Sequence, residues 1–451
     1  MQIKAESLQK ALLRNRFLFS FLFTMVAIFI VSQVVSAQQP EPPTIDGKFQ
    51  AELIDSVAAA LSQTYVFPDV AEKMNKLIRK NLKKGEYKKI TDLREFTMRL
   101  TEDLRSVSHD LHLGVRIIPP GYGQEQNENF EEEMLRDYRY NNFAFQKLER
   151  LPGNIGYLKF NEFVDAKLGG QTAIAAMNFL GHCDALIFDL RDNGGGSPSM
   201  IQLLSSYLFE EPTHLNSFYI RESDSTEQFW TQGFVPGPHL FDVPVYVLTS
   251  SHTFSGAEEF SYNMKNLKRG TIIGDTTGGG AHPVDIKLFR NLNVGLKLPF
   301  GRAINPISGT NWEGVGVIPD IAISSDKALE RAQMEALDTL MKTESDEQRK
   351  TSLKWAYDGL KAELNPVSLD ESKMKEYAGD YGPRHITLVD GSLFYQRNEG
   401  TKYALVPMSE DVFLLPELDF FRLKLVRDDS GNVIELVGMY DNGRTDSNPR
   451  D

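Results

Sequence analysis

Val243-Pro-Val-Tyr-Val-Leu-Thr-Ser-Ser-His-Thr-Phe-Ser-Gly-Ala-Glu-Glu-Phe260 joins a short apolar run, a Ser/Thr-rich turn and the start of an amphipathic stretch. Runs of this length, rich in β-branched and aromatic residues and bounded by turn residues, read as buried strands. The segment therefore predicts strand, turn, helix. The same order recurs on both sides of it. Apolar runs at 155–160, 185–190 and 271–273 alternate with helical patterns at 165–181, 198–209 and 256–267. Strand and helix in alternation predict an α/β layer whose strands are largely parallel. Two further strand-like runs, 284–289 and 293–299, fill out a core placed at 151–325, and a helical stretch over 327–364 closes the unit as a helical linker, 326–365.

Outward from this core the patterning changes. Over 46–108 apolar residues return at helical spacing: Phe49, Leu53, Val57 and Leu61, then Val70, Met74, Leu77 and Ile78, then Leu93, Phe96, Leu100 and Leu104. Three amphipathic helices in a small bundle, residues 44–116, are expected. Residues 117–150 are polar, with Pro119-Pro120-Gly121 and three consecutive acids from Glu131, and read as a connector. They are too few for an inserted domain of roughly 80 residues or more. From 366 to 451 short alternating runs are punctuated by Asp390-Gly391, Glu399-Gly400 and Asp429-Ser430-Gly431-Asn432, which predicts a separate antiparallel β meander.

The 451 residues carry 49 Lys+Arg against 62 Asp+Glu, a formal charge of −13. Such an acidic chain, without a basic run, lacks the footprint of a nucleic-acid binder. One cysteine, Cys183, excludes an intramolecular disulfide and a thiolate zinc site. Lys4, Lys10, Arg14 and Arg16 precede an uncharged, mostly apolar run from Phe17 that ends in Val35-Ser36-Ala37. Residues 1–37 are read as a secretory signal peptide cleaved after Ala37, against the rival of a retained anchor. An exported, periplasmic or extracellular protein without stable membrane insertion is the expectation.

A serine at a strand-to-helix turn presents its hydroxyl where unpaired backbone N–H groups can receive an oxyanion, which makes Ser255 the candidate nucleophile. The plain alternative is an N-cap, since serine is among the favoured residues there. Asp189-Leu-Arg-Asp-Asn-Gly-Gly-Gly196 also follows a buried strand and precedes a helix. Three glycines let the backbone approach a ligand, or form an ordinary turn. A nucleotide reading has neither GxGxxG nor a Walker motif to support it. A base and an orienting group would come from His112, in Ser108-His-Asp-Leu-His-Leu-Gly114, from His282 after the Gly278-Gly279-Gly280 run, and from Glu313 amid glycine turns. His109 and His112 are a weak metal pair, and neither metal nor other cofactor is expected.

Taken in order, Asp-Leu-Arg-x-Asn-x-Gly-Gly, the serine turn continuing Gly256-Ala-Glu-Glu-Phe260, Gly274-Asp-Thr-Thr-Gly-Gly279 and Gly-Val-x-Pro-Asp320 resemble the C-terminal processing (tail-specific) serine peptidases over about residues 48–325. The chain resembles the tricorn core and interphotoreceptor retinoid-binding protein branch more than the processing peptidases proper. Gly280 stands where the latter carry a lysine, and no PDZ domain fits into 117–150. The resemblance implies a ClpP/crotonase-like core of ββα units, while the C-terminal domain, opened by Tyr377-Ala-Gly-Asp-Tyr381, separately resembles small lipocalin-like β domains. It further implies an exported serine endopeptidase acting on peptides or unfolded proteins.

That resemblance assigns Ser255 as nucleophile, His112 as base and Glu313 as its orienter, with backbone N–H groups of Gly256 and Gly195 around the oxyanion. His109, which follows a serine as the branch's histidine does, is the register alternative, and His282 is the second. The order histidine, serine, glutamate and the missing GxSxG elbow argue against an α/β-hydrolase. A carrier of hydrophobic ligands on the same scaffold is the rival function, and self-association into a homo-oligomer stays open.

Overall fold

The strand Val245–Thr249 lies inside a six-stranded sheet. The order is Ile321–Ala322, Thr271–Gly274, Val245–Thr249, Ala185–Asp189, Ile155–Phe160, Phe145–Leu151, and every pairing is parallel except the last. The computed structural model describes residues 44–118 and 128–451. Both faces of the sheet are covered, which explains why its strands read as continuous apolar runs rather than alternating ones. Val245 and Val247 meet the helices Ala166–Leu180, Pro198–Ser206 and Gly256–Asn266 through Met177, Leu204 and Phe260. Tyr246 and Leu248 face the other way, onto Ala328, Ala332, Ala336 and Leu337 of the helix Ala328–Thr343. Each such leucine or phenylalanine removed from water contributes about 1.5–3 kcal/mol.

That second layer corrects the reading of 326–365 as a linker. The helical stretch breaks at 344–346, where Asp346 caps the following helix Glu347–Leu364 by accepting from the Arg349 N–H at 2.8 Å. Residues 145–151, all but the last inside the stretch read as a connector, form the antiparallel edge strand of the main sheet. Edge strands keep one face in solvent, so Gln146, Lys147 and Glu149 hide the strand from an apolar-run search. A three-stranded sheet of Gly301–Ile304, His214–Ile220 and Ser225–Trp230 was likewise not expected. Its central strand buries Asn216 and Ser217, which breaks the apolar pattern.

The helices Gly47–Thr64, Pro68–Lys84 and Leu93–Ser108 form the N-terminal bundle. Asp46 and Asp92 cap the first and third through the N–H groups of Phe49 and Glu95, both at 2.8 Å. The bundle does not close its core alone. Leu53, Leu100 and Leu104 share one apolar cluster with Leu292, Val294, Leu296 and Leu298. The strand Gly114–Ile117 continues that union by pairing antiparallel with Val294–Pro299.

The C-terminal unit is two antiparallel sheets of four and five strands, ordered as in the chain, around Tyr377, Tyr381, Phe413 and Leu423. Trp355 fastens it to the preceding helix, donating from Nε1 to the Asp419 carbonyl at 2.7 Å with the Arg422 guanidinium 3.7 Å from its ring centre. The stretch 1–37, read as a signal peptide, lies outside the described residues. Among the described residues no helix is long and apolar enough to cross a membrane.

Candidate active site

After Val245–Thr249 the chain is stitched to the neighbouring glycine loop. Thr253 Oγ1 donates to the Leu190 carbonyl at 2.8 Å, and the Phe254 N–H donates to that of Asn193 at 3.1 Å. Buried Asn193 in turn shapes its own loop, donating from Nδ2 to Phe160 O at 2.8 Å and accepting the Gly195 N–H at 2.9 Å. Gly195 has φ 101°, and a Cβ there would lie 2.6 Å from Gly256 N and 2.7 Å from Phe254 O. The two backbones approach this closely only because the residue is glycine.

Ser255 sits at φ 55°, ψ −120°. For a residue with a Cβ this conformation costs of order 1–3 kcal/mol and persists only where the surroundings impose it. Glu258 imposes it by accepting the Ser255 N–H at 2.8 Å. The same buried carboxylate accepts from Thr277 Oγ1 at 2.6 Å, Gly279 N at 2.6 Å and Gly280 N at 2.9 Å. Burial holds its pKa above the usual range against those four bonds. Gly256 is the first residue of its helix, where an N–H has no intrahelical acceptor. Neither its N–H nor that of Gly196 finds an acceptor among the described residues. The two residues adjoin: the Gly196 nitrogen is 2.9 Å from where a Gly256 Cβ would be.

His112 arrives from the bundle. His109 ends the helix Leu93–Ser108 in the left-handed conformation, φ 55°, and Arg105 then grips the next turn through the carbonyls of Leu111 and Leu113, both at 2.7 Å. His109 itself is exposed. His112 is 1% exposed, its ring 4.7 Å from that of Phe254 and its Cε1 2.7 Å from where a Gly280 Cβ would be. Neither ring nitrogen has a hydrogen-bond partner. Burial, then the charge of Lys297, lowers its pKa to about 4, so the imidazole is neutral near pH 7.

Beside it is a group the sequence reading passed over. Asp110 is 1% exposed and accepts the His112 N–H at 2.9 Å, His282 Nδ1 at 2.7 Å and the Tyr65 hydroxyl at 3.3 Å. An acid between two histidines was its only signal in the chain. Burial opposes charge on both Asp110 and His282, but their ion pair outweighs it: Asp110 falls below the ordinary carboxylate range and His282 rises above ordinary imidazole.

Glu313 completes the group. Trp312 anchors its loop by donating from Nε1 to Gly280 O at 2.7 Å, and Glu313 Oε2 accepts the Ala281 N–H at 2.6 Å, 3.6 Å from His282 Nδ1. Its Oε1 is buried without a partner, and burial raises its pKa to about 7. A ring nitrogen of His112 and carboxylate oxygens of Asp110 and Glu313 lie within 4.8 Å of one another. Thus His112, His282 and Glu313 come together while His109 stays outside. Ser255 adjoins them through Phe254, and no hydrogen bond joins it to His112. Such bonds are often long or misaligned in the absence of substrate.

Residues 154–323 match the family model described as peptidase family S41, and residues 48–147 match the N-terminal domain of that peptidase in eukaryotic IRBP. The carboxy-terminal-processing protease of Bartonella bacilliformis is 28% identical over 180 residues, 39% of this chain. The match spans 40% of that relative's length. Among solved structures, a lipoprotein from Streptococcus agalactiae aligns over 66% of this chain and 98% of its own, at 18% identity and a TM-score of 0.44. The tricorn protease aligns over 63% of this chain and 35% of its own, at 14% and 0.41.

Proposed function

Since the chain carries a peptidase family S41 domain over 154–323 behind that family's N-terminal domain, we propose that it is a serine peptidase of peptides or unfolded proteins, exported by way of residues 1–37. The observation that carries this reading is the strained Ser255 backbone beside two unoccupied N–H groups, those of Gly256 and Gly196. Ser255 is also the N-cap of its helix, in a capping box with Glu258, but capping alone requires neither feature.

Ser255 Oγ attacks the scissile carbonyl carbon, and its proton passes to neutral His112. Charge building on the carbonyl oxygen is received by the N–H of Gly256 and by the glycine loop. The Gly195 N–H already serves Asn193, so Gly196 is the partner we assign. His112 then protonates the leaving amine, and water releases the acyl group by the same steps in reverse. Burial disfavours the imidazolium that forms in between, and ionised Glu313 and Asp110 are the groups placed to offset that penalty. His282 holds Asp110 in place.

Treating the purified chain with a fluorophosphonate probe and mapping the labelled peptide tests this reading. Labelling at Ser255 that falls steeply in His112→Ala is expected. A folded chain that takes no label would sink it and turn attention to apolar ligands.

A further inference from the structure

We propose that Asp110, His112 and Glu313 form a binding site for a divalent transition metal of the Zn²⁺ type, and that its occupation silences Ser255. The binding stands by itself, whereas the silencing rests on the peptidase reading. Three ligand atoms from these residues lie within 4.8 Å of one another. Two of the residues carry buried polar atoms that nothing satisfies: both ring nitrogens of His112 and Glu313 Oε1. Leaving such groups unpaired costs about 1–3 kcal/mol each, and a cation placed among them answers one His112 nitrogen and Glu313 Oε1.

The donor set selects the ion. One neutral imidazole with two carboxylates suits Zn²⁺, whereas Mg²⁺ and Ca²⁺ prefer oxygen alone. Zinc bonds of about 2.0–2.2 Å put tetrahedral ligands roughly 3.5 Å apart, so the three atoms must close by about 1 Å. The supports around them are those of a ligand shell. Asp110 is held by His282 Nδ1, the Tyr65 hydroxyl and the His112 N–H, and Glu313 by the Ala281 N–H. Phe254 packs on His112, and Phe67 packs edge-on to His282. Lys297 and Arg105 contribute opposing positive charge. Three ligands leave a fourth position for water. Coordinated through its ring nitrogen, His112 has no lone pair with which to take the Ser255 proton.

Titrating the purified chain with Zn²⁺ against a chromophoric chelator, with Mg²⁺ as control, tests the site without reference to activity. One Zn²⁺ per chain is expected, with affinity weakened about tenfold or more in His112→Ala and in the isosteric Glu313→Gln. Ser255→Ala, His109→Ala and His385→Ala, the last at a histidine paired with Asp380 in the C-terminal unit, keep it. Thermal melts of each variant separate lost ligands from lost fold, and Asp110→Asn is a further probe where His112→Ala does not fold. Zn²⁺ also suppresses fluorophosphonate labelling of Ser255, and a chelator restores it. Absence of stoichiometric binding, or affinity that follows His109 or His385 instead, overturns the proposal. Zinc bound as described on a chain that never labels leaves the site standing and removes the peptidase reading.

Discussion

Ser197 and Ser255 each close a turn that carries a parallel strand into a helix, Ser197 after Ala185–Asp189 and Ser255 after Val245–Thr249. Ser197 has extended backbone, φ −78° and ψ 133°. Its Oγ donates to Asp165 Oδ2 at 2.9 Å and accepts the Ser199 N–H at 3.3 Å. That is an ordinary helix cap, fully employed. Ser255 is twisted to φ 55° by a buried glutamate three residues on and adjoins a glycine loop with one unused N–H, that of Gly196. The same amino acid at the same topological place therefore has two meanings, and the backbone separates them.

Replacing each serine by alanine breaks the comparison most sharply. Ser255→Ala should cut peptide hydrolysis on the order of ten-thousandfold or more, measured as kcat/KM, while Ser197→Ala leaves it within a few-fold. Next in size is Gly195→Ala, whose new Cβ collides with the backbone of Gly256 and Phe254. A loss of about a hundred- to a thousandfold in labelling rate is expected, the scale of an oxyanion donor displaced.

Glu313→Gln should cost about tenfold at pH 8, less than the roughly hundredfold or more of a group that itself moves the proton, and change the pH profile. With Glu313 raised to about 7 and His112 lowered to about 4, the parent's rate climbs as pH rises through 7, because only ionised Glu313 supports the imidazolium. The variant should lack that limb. The smallest effect is on stability and has opposite signs at the two serines. Ser255→Gly relieves the positive φ and should stabilise by about 1 kcal/mol in denaturant melts. Ser197→Gly should destabilise by a few tenths.

The α/β core was legible because both faces of its sheet are buried, which leaves unbroken runs such as 245–249 for a reader to find. The edge strand at 145–151 and the sheet containing 214–220 were not, since one shows lysine and glutamate to water and the other buries Asn216. At the candidate site, His112, His282 and Glu313 could be named, but the choice among histidines could not be read from spacing. Exposure separates His109 from the others, and the Asp110 pairing separates His282 from His112. Asp110 itself escaped because it meets His282 across 172 positions of chain. The Gly195 N–H illustrates a finer limit, for its partner is a side chain two residues away whose direction no composition reveals.

The union of the bundle with the 284–299 hairpin bears on when the chain becomes dangerous. His112 is carried by one segment and seated by another that follows it by some 180 positions, since Gly114 pairs with Lys297. Glu313 comes later still. During synthesis, or during the export we propose, the polypeptide holds its histidine and its serine before the strand that seats the histidine has appeared. Any cutting power would arise only after more than two thirds of the sequence has emerged, so the order of emergence would itself protect the producing cell.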